Sequence, residues 1–231
     1  SHLLPLRLVQ AGRPGTAQGP AGPGPLRLAS LKGMMNIFIH DDQSLFLWIN
    51  NTLDRSWLDP VMEAATALGN GFYLFPLGLA LMALFARKNF RRDFVLWAST
   101  SFLSFIIGTT LKHMIHRDRP LAALHPSIAS HAVFVHVLGP SLYANSFPSG
   151  HTFTAFSTAS LFASLYPPLF LPLYSLATLT GISRIYVGAH FPLDVLGGAA
   201  IGLISTFLVM RWIAPRWIAA TAPPNDPESV P

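Results

Sequence analysis

Three stretches of this chain carry side chains that could act together on a phosphoryl group. The first is Lys112 followed, seven residues on, by Arg119-Pro120. The second is Phe147-Pro148-Ser149-Gly150-His151, and the third runs from Ser183-Arg184 through Gly188-Ala189-His190 to Asp194. Phosphoryl transfer needs cations on the equatorial oxygens, a nucleophile in line and an acid for the leaving oxygen. Lys112, Arg119 and Arg184 supply fixed positive charge, the arginines as forks and the lysine as a point charge. His151 and His190 can serve as nucleophile and acid, in an order that spacing leaves open. Asp194, four residues after His190, can accept from an imidazole N–H and so fix the tautomer of the ring. Ser149-Gly150 opens an apolar run. A helix starting there would turn free N–H groups towards an anion, with Gly150 admitting the backbone closely.

Each feature also has a plain structural reading. Lys112 and Arg119, two helical turns apart, would share a helix face and snorkel at a membrane edge. Ser149 would be an ordinary helix cap. His190 and Asp194 would be a structural pair. An ionisable group beside a membrane span is costly, however, and is by default functional. Three separated groups of this kind converging on one face point to chemistry more strongly than any of them alone.

The elements that must position these groups are membrane helices. Of the 231 residues 51% are hydrophobic and 11% charged, against about 25% charged in soluble domains. No Asp, Glu, Lys or Arg occurs between Arg119 and Arg184, which a soluble fold could not tolerate. Of the net charge of +5, four units reside in the first 33 residues, where Arg7, Arg13, Arg27 and Lys32 stand without an acid; the charge gives no argument for nucleic acid. There is no cysteine, hence no disulfide, thiolate or Cys metal site.

Residues 1–33, rich in Gly, Pro and Ala, read as a disordered tail or appended extension, with Met34-Met35 the expected natural start. Residues 34–58 read as an amphipathic interfacial helix, which could pair with 59–68 to make a sixth crossing. Residues 59–213 form the membrane domain and 214–231 a flexible tail. Its five apolar segments are 61–86, bent by Gly69, Gly71 and Pro76, then 94–112, 150–166, 169–186 and 192–211, each near the roughly 20 residues of a span. Asp59-Pro60 and Pro192 mark helix starts. The small residues from Gly197 to Gly202 favour close helix packing. The loop histidines His113, His116, His125, His131 and His136 lack tight ligand spacing, so no metal site is expected.

At signature positions Lys112, Arg119-Pro120, Pro148-Ser149-Gly150-His151, Ser183-Arg184, Gly188, His190 and Asp194, the chain resembles the type 2 phosphatidic acid phosphatase (PAP2) superfamily. The motifs cover 112–194 and the hydrophobic layout extends the likeness to about 45–212. The resemblance implies an all-α polytopic bundle of five to six transmembrane helices with a PAP2/haloperoxidase-like core, acting on a membrane lipid phosphate or diphosphate without metal or other cofactor. It implies His190 as nucleophile forming a phosphohistidine, Asp194 orienting it, and His151 protonating the leaving oxygen and then activating water. Lys112, Arg119, Ser149, Gly150 and Arg184 would hold the phosphate. Within the superfamily the short chain is most similar to bacterial undecaprenyl-diphosphate phosphatases and to phosphatidylglycerophosphate phosphatases of the B type. Phosphatidate and lipid A phosphatases, and lipid phosphotransferases, share the motifs. The implied location is the bacterial plasma membrane; the oligomeric state is left open.

Arg87, Lys88, Arg91 and Arg92 crowd the turn after the first apolar segment, and Arg211 and Arg216 follow the last. With five spans both clusters share a side, which the positive-inside rule makes cytoplasmic, placing the three motifs on the extracytoplasmic face. In the cysteine-free chain, Asn145→Cys should react with a membrane-impermeant maleimide in intact cells and Asn89→Cys only after permeabilisation. The reverse labelling would put the site in the cytoplasm.

Overall fold

The computed structural model describes residues 25–86 and 89–216, and side chains from Ile39 onward. Residues 1–24, 87–88 and 217–231 lie outside this range, and with them most of both expected tails and the Arg87-Lys88 pair. By contact the chain falls into two units, Ser1–Ile39 and His40–Pro231. Of the first, only the beginning of α1 (Pro25–Thr52) is described. Residues 25–33 are therefore helical, where disorder was expected.

The second unit is helical throughout, with no strand among the described residues. After α1 come α2 (Asp59–Leu68), α3 (Gly71–Phe85), α4 (Phe90–Ile115), the short α5 (Pro120–Ala123) and α6 (His125–Ala129), then α7 (Gly150–Leu165), α8 (Phe170–Tyr186) and α9 (Pro192–Trp212). The five apolar segments reappear as α2–α3, α4, α7, α8 and α9. Pro60 stands in the first turn of α2 and Pro192 in that of α9. The first segment breaks at Gly69-Asn70, bending α2 against α3 by 69°, and Asn70 caps α3 by accepting from the Phe72 N–H at 3.0 Å.

The stretches begun by α4 and α9 are each long and apolar enough to cross a membrane, and the bent α2–α3 pair makes a third candidate. At 16 and 17 residues, α7 and α8 span only about 24–26 Å at 1.5 Å per residue, short of the ~30 Å hydrocarbon core. Large apolar side chains face outward, among them Phe72, Phe102, Leu171, Leu196 and Phe207. The interior combines large apolar side chains such as Trp97 and Phe162 with many small and hydroxylic groups. That distribution suits lipid on the outside and tight helix contact within.

α7 is the central helix, packed against α4, α8 and α9. Ser160 and Thr206 hydroxyls join α7 to α9 at 2.5 Å, and Trp97 Nε1 donates from α4 to Thr158 Oγ1 at 3.1 Å. Buried hydroxyls also bond back to helix carbonyls, as Thr100 does to Leu96 at 2.8 Å, which is how a polar side chain is accommodated within a membrane bundle. At one end of α4 the buried Asp93 carboxylate takes a hydrogen bond from Arg92 Nε at 2.8 Å and another from the Tyr166 hydroxyl. Arg91, Arg92 and Arg211 lie at the ends of α4 and α9 opposite to Lys112 and Asp194.

A close approach of α9 to the start of α7 sets the site. A Cβ on Gly198 would lie 2.7 Å from the Ser149 carbonyl oxygen and 3.0 Å from Thr152 Cβ. The second turn of α9 thus rests on the first turn of α7, and the Ser149 N–H donates to the Asp194 carbonyl at 3.0 Å, which brings the second and third motifs together. Gly198→Leu should force these turns apart at a cost of about 1–3 kcal/mol, the usual range for overpacking. The variant should unfold at lower temperature in detergent and lose activity, with Gly198→Ala milder. Unfolding of Gly198→Leu at the parental temperature would contradict this packing.

Candidate active site

The side chains singled out by sequence converge where α4 ends and α7 and α9 begin. Asp194 is the third residue of α9, and its Oδ2 reaches back to accept from the Phe191 N–H at 2.9 Å, closing the helix start. The same oxygen accepts from Ser146 Oγ at 2.5 Å, and Oδ1 accepts from Arg117 Nη1 at 2.6 Å. The carboxylate has no solvent exposure. It is held as an anion by three donors, which is what a buried charge requires.

His190 is 2% exposed, in the loop between α8 and α9. Its Nδ1 lies 3.7 Å from Asp194 Oδ2, beyond hydrogen-bond distance, and 3.4 Å from Ser146 Oγ. The direct imidazole–carboxylate bond expected from the spacing is thus replaced by a bridge: Nδ1–H faces the Ser146 oxygen, and the Ser146 hydroxyl donates to Asp194. On the other side, Arg119 Nη1 approaches Nε2 at 3.4 Å. These neighbours favour a proton on Nδ1 and a lone pair on Nε2 directed at the cations. Burial holds the imidazole well below its ordinary range; the Arg119 and Arg184 charges add to this, and Asp194 opposes it. A neutral ring results at physiological pH.

Arg119 does not share a helix face with Lys112. α4 stops at Ile115 because His116 takes the left-handed conformation, φ 49°. Arg119 arrives from the following turn. Both cations still meet one strand of loop: Lys112 Nζ donates to the Asn145 carbonyl and Arg119 Nε to the Ala144 carbonyl, each at 2.8 Å. Arg184, 6% exposed, has a long contact to Thr66 Oγ1 at 3.4 Å, and its Nε lacks a hydrogen-bond partner. It borders an open pocket of about 450 Å³ with His151, Glu63, Thr66 and Asn70.

Ser149 is the residue before α7 and is fully buried, but it does not cap the helix; its Oγ accepts from Thr152 Oγ1 at 2.9 Å. The first N–H groups of α7 therefore have no side-chain cap. A Cβ on Gly150 would meet only the Phe153 ring, at 4.0 Å, so the space beside this turn is free. Gly188 has φ +74°, and a Cβ there would lie 2.7 Å from the His136 carbonyl. Only glycine lets the chain turn into Ala189-His190 under that loop.

Several residues at the site were not anticipated. Arg117 forks between Asp194 and Asp42 Oδ2, the latter at 2.5 Å, and its guanidinium lies 4.5 Å above the Phe191 ring. Asp42, Phe46 and Asn50 form a buried stripe on α1. Asn50 donates to the carbonyls of His136, Ile185 and Tyr186 and accepts from the His136 N–H at 2.8 Å. The i, i+4, i+8 spacing of this stripe was the available signal. Residues 40–52 are thus docked on the site through this stripe. The loop above the motifs is also partly buried: Leu124 and Val135 pack with Phe46, Ile185 and Phe191.

Of the loop histidines, His113, His116, His125 and His131 are exposed. His136 is not: Nδ1 faces Asp54 at 3.2 Å and Nε2 faces Asp59 at 3.3 Å. Sequence spacing concealed this group because the acids come from the turn after α1 and the start of α2, distant in sequence from His136. Three potential ligands meet there, with the two acids set against opposite ring nitrogens.

The PAP2 superfamily model matches residues 93–218, more than half of the chain. The chain belongs to the PAP2 superfamily. It is similar to phosphatidylglycerophosphatase B of Bacillus subtilis, 34% identical over 67% of this chain and 75% of the relative. It is also similar to undecaprenyl-diphosphatase BcrC of the same organism, 34% identical over 68% of this chain and 76% of that protein. The crystal structure of Aquifex aeolicus LpxE superposes with a TM-score of 0.63 at 32% identity, covering 73% of this chain and 94% of that one. This PAP2 protein is an integral membrane protein and a phosphatase of membrane lipids.

Proposed function

We propose that this PAP2 phosphatase hydrolyses its lipid phosphate through a phosphohistidine on His190, without a metal. The buried Arg184 guanidinium carries the reading: its Nε is unpartnered and it borders the same pocket as His151. A cation donor left unsatisfied in a buried site has an anion as its natural partner. Lys112, Arg119 and Arg184 would hold the equatorial oxygens, with Ser149, Gly150 and the open start of α7 contributing a hydroxyl and N–H groups. Nε2 of His190 would attack phosphorus as the bond to the leaving oxygen breaks. His151 would give that oxygen its proton, then take one from the water that cleaves the N–P bond. Asp194, through Ser146, would favour the positive charge the ring acquires.

The substrate is undecaprenyl diphosphate, cleaved to undecaprenyl phosphate at the extracytoplasmic face of a bacterial plasma membrane. Support comes from the similarity to undecaprenyl-diphosphatase BcrC, and from Arg91, Arg92 and Arg211 lying at the helix ends opposite the site. A second reading, a glycerophospholipid monoester such as phosphatidylglycerophosphate, is favoured by Glu63 and Asn70 at the pocket. They offer hydrogen-bonding groups, and Glu63 a negative charge, where a second phosphate would need a cation.

His190→Ala should abolish turnover, by orders of magnitude for a member of a catalytic unit, while the protein still inserts and folds. His151→Ala should slow leaving-group departure and spare substrates with acidic leaving groups. Wild-type activity in His190→Ala would remove the nucleophile assignment.

The purified protein, assayed against undecaprenyl diphosphate, phosphatidate, phosphatidylglycerophosphate and lipid A, should show its highest kcat/KM on the first. Activity should survive EDTA and fall with vanadate. A preference for a glycerophospholipid would overturn the substrate and leave the mechanism standing. Loss on chelation restored by a divalent ion would overturn the metal-free chemistry.

A further inference from the structure

The carboxylate that serves His190 is itself held by groups from outside the three motifs. Asp194 Oδ1 receives Arg117 Nη1 at 2.6 Å, and Arg117 Nη2 reaches Asp42 Oδ2 at 2.5 Å. Asp42 Oδ1 accepts from the Leu193 N–H at 2.9 Å, inside the first turn of α9. Both carboxylates are buried, their side chains 2% and 0% exposed. The guanidinium also lies on the Phe191 ring, whose edge contact with Phe46 is 5.3 Å between centroids. Phe191 directly follows His190. α1 therefore grips the catalytic loop twice, through Asp42 and through Phe46. Asp42 also lies upstream of the residues matched by the PAP2 model, 93–218.

We propose that Arg117 and Asp42 are positioning residues of the phosphatase, and that α1 is part of its active site. The inference rests on His190 being the nucleophile. A single guanidinium fork shared by two buried acids fixes the plane of the Asp194 carboxylate, which a lysine could not do. The sharing also sets charge. With one cation between two anions, Asp194 is only partly neutralised. When the Nε2–P bond forms and the P–O bond breaks, the ring keeps its Nδ1 proton and becomes positive, and the remaining negative charge at Asp194 stabilises it. Asp42→Asn would leave Arg117 to neutralise Asp194 alone and would weaken that stabilisation. The effect belongs to the transition state, so it should appear in kcat and not in KM.

The test uses the full chain in detergent with farnesyl diphosphate and dioctanoyl phosphatidate as soluble probes. Asp42→Asn and Arg117→Gln should each lower kcat on the order of 10–100-fold, the scale of loss when the hydrogen-bond partners that orient metal-bound histidines are removed. KM should stay within about twofold, judged as uniform binding left intact. Asp42→Glu should recover part of the loss, and Arg117→Lys less than the parent, because charge without the fork is insufficient. Asp42→Asn is nearly isosteric and keeps an acceptor for the Leu193 N–H, so it carries the test if Arg117→Gln does not fold. Wild-type kcat in Asp42→Asn, a loss confined to KM, a failure of Asp42→Glu to restore anything, or unfolding of Asp42→Asn would each overturn the proposal. His190→Ala runs alongside. If it is inactive while Asp42→Asn is normal, only this inference falls; if it is active, the mechanism on which the inference rests falls with it.

Discussion

A carboxylate with no solvent exposure at the end of a membrane helix has to be met by donors from its own protein. Asp194 meets this demand with the Phe191 N–H, the Ser146 hydroxyl and the Arg117 guanidinium. The first donor starts α9. The second brings in the segment that leads into α7. The third ties in the residues after α4 and, through Asp42, α1. Without these contacts the buried charge would be uncompensated, at a cost of several kcal/mol. The arrangement of four chain segments around His190 follows from this single requirement.

Holding those segments against one another depends on how closely α7 and α9 approach. Where Gly198 sits, there is no room for a Cβ between α9 and the Ser149 carbonyl. Between lipid-facing helices there is little hydrophobic driving force, so association relies on close packing and on hydrogen bonds such as that of Ser160 with Thr206. Where α7 and α9 meet, small residues such as Gly198 and Gly202 carry the seam. The result is a close junction at one end of the bundle, where cations and histidines are brought together beside an open pocket.

The outer loop is secured by a separate polar set. Asn50, fully buried, takes three carbonyls and one N–H from the loop and the end of α8. His136 stands between Asp54 and Asp59, and the Tyr186 hydroxyl donates to Asp59 at 2.6 Å. These contacts lie beside the pocket but do not face it. They clamp the loop onto α1 and α8, so that Val187 to His190 turn beneath it at Gly188.

Much of this molecule was legible from residue order alone. The uncharged run from Arg119 to Arg184 could only belong in a membrane, because no soluble surface can be built from it. The proline and glycine positions located the helix starts and the bend in the first apolar segment, because backbone geometry at those residues is local. The three motifs named the chemical groups, because cations, histidines and an acid at those spacings have few other uses in apolar surroundings. Tertiary structure decided which groups touch. The spacing of His190 and Asp194 suggested a direct bond, yet Ser146 stands between them. Lys112 and Arg119 appeared to share a helix face, yet the helix ends before Arg119. Asp42, Asn50 and Arg117 gave little local sign of their place, since their partners are distant in sequence and a buried acid looks the same in a string as an exposed one. Contacts of that kind arise only when the chain closes on itself and every buried charge must find its counterpart.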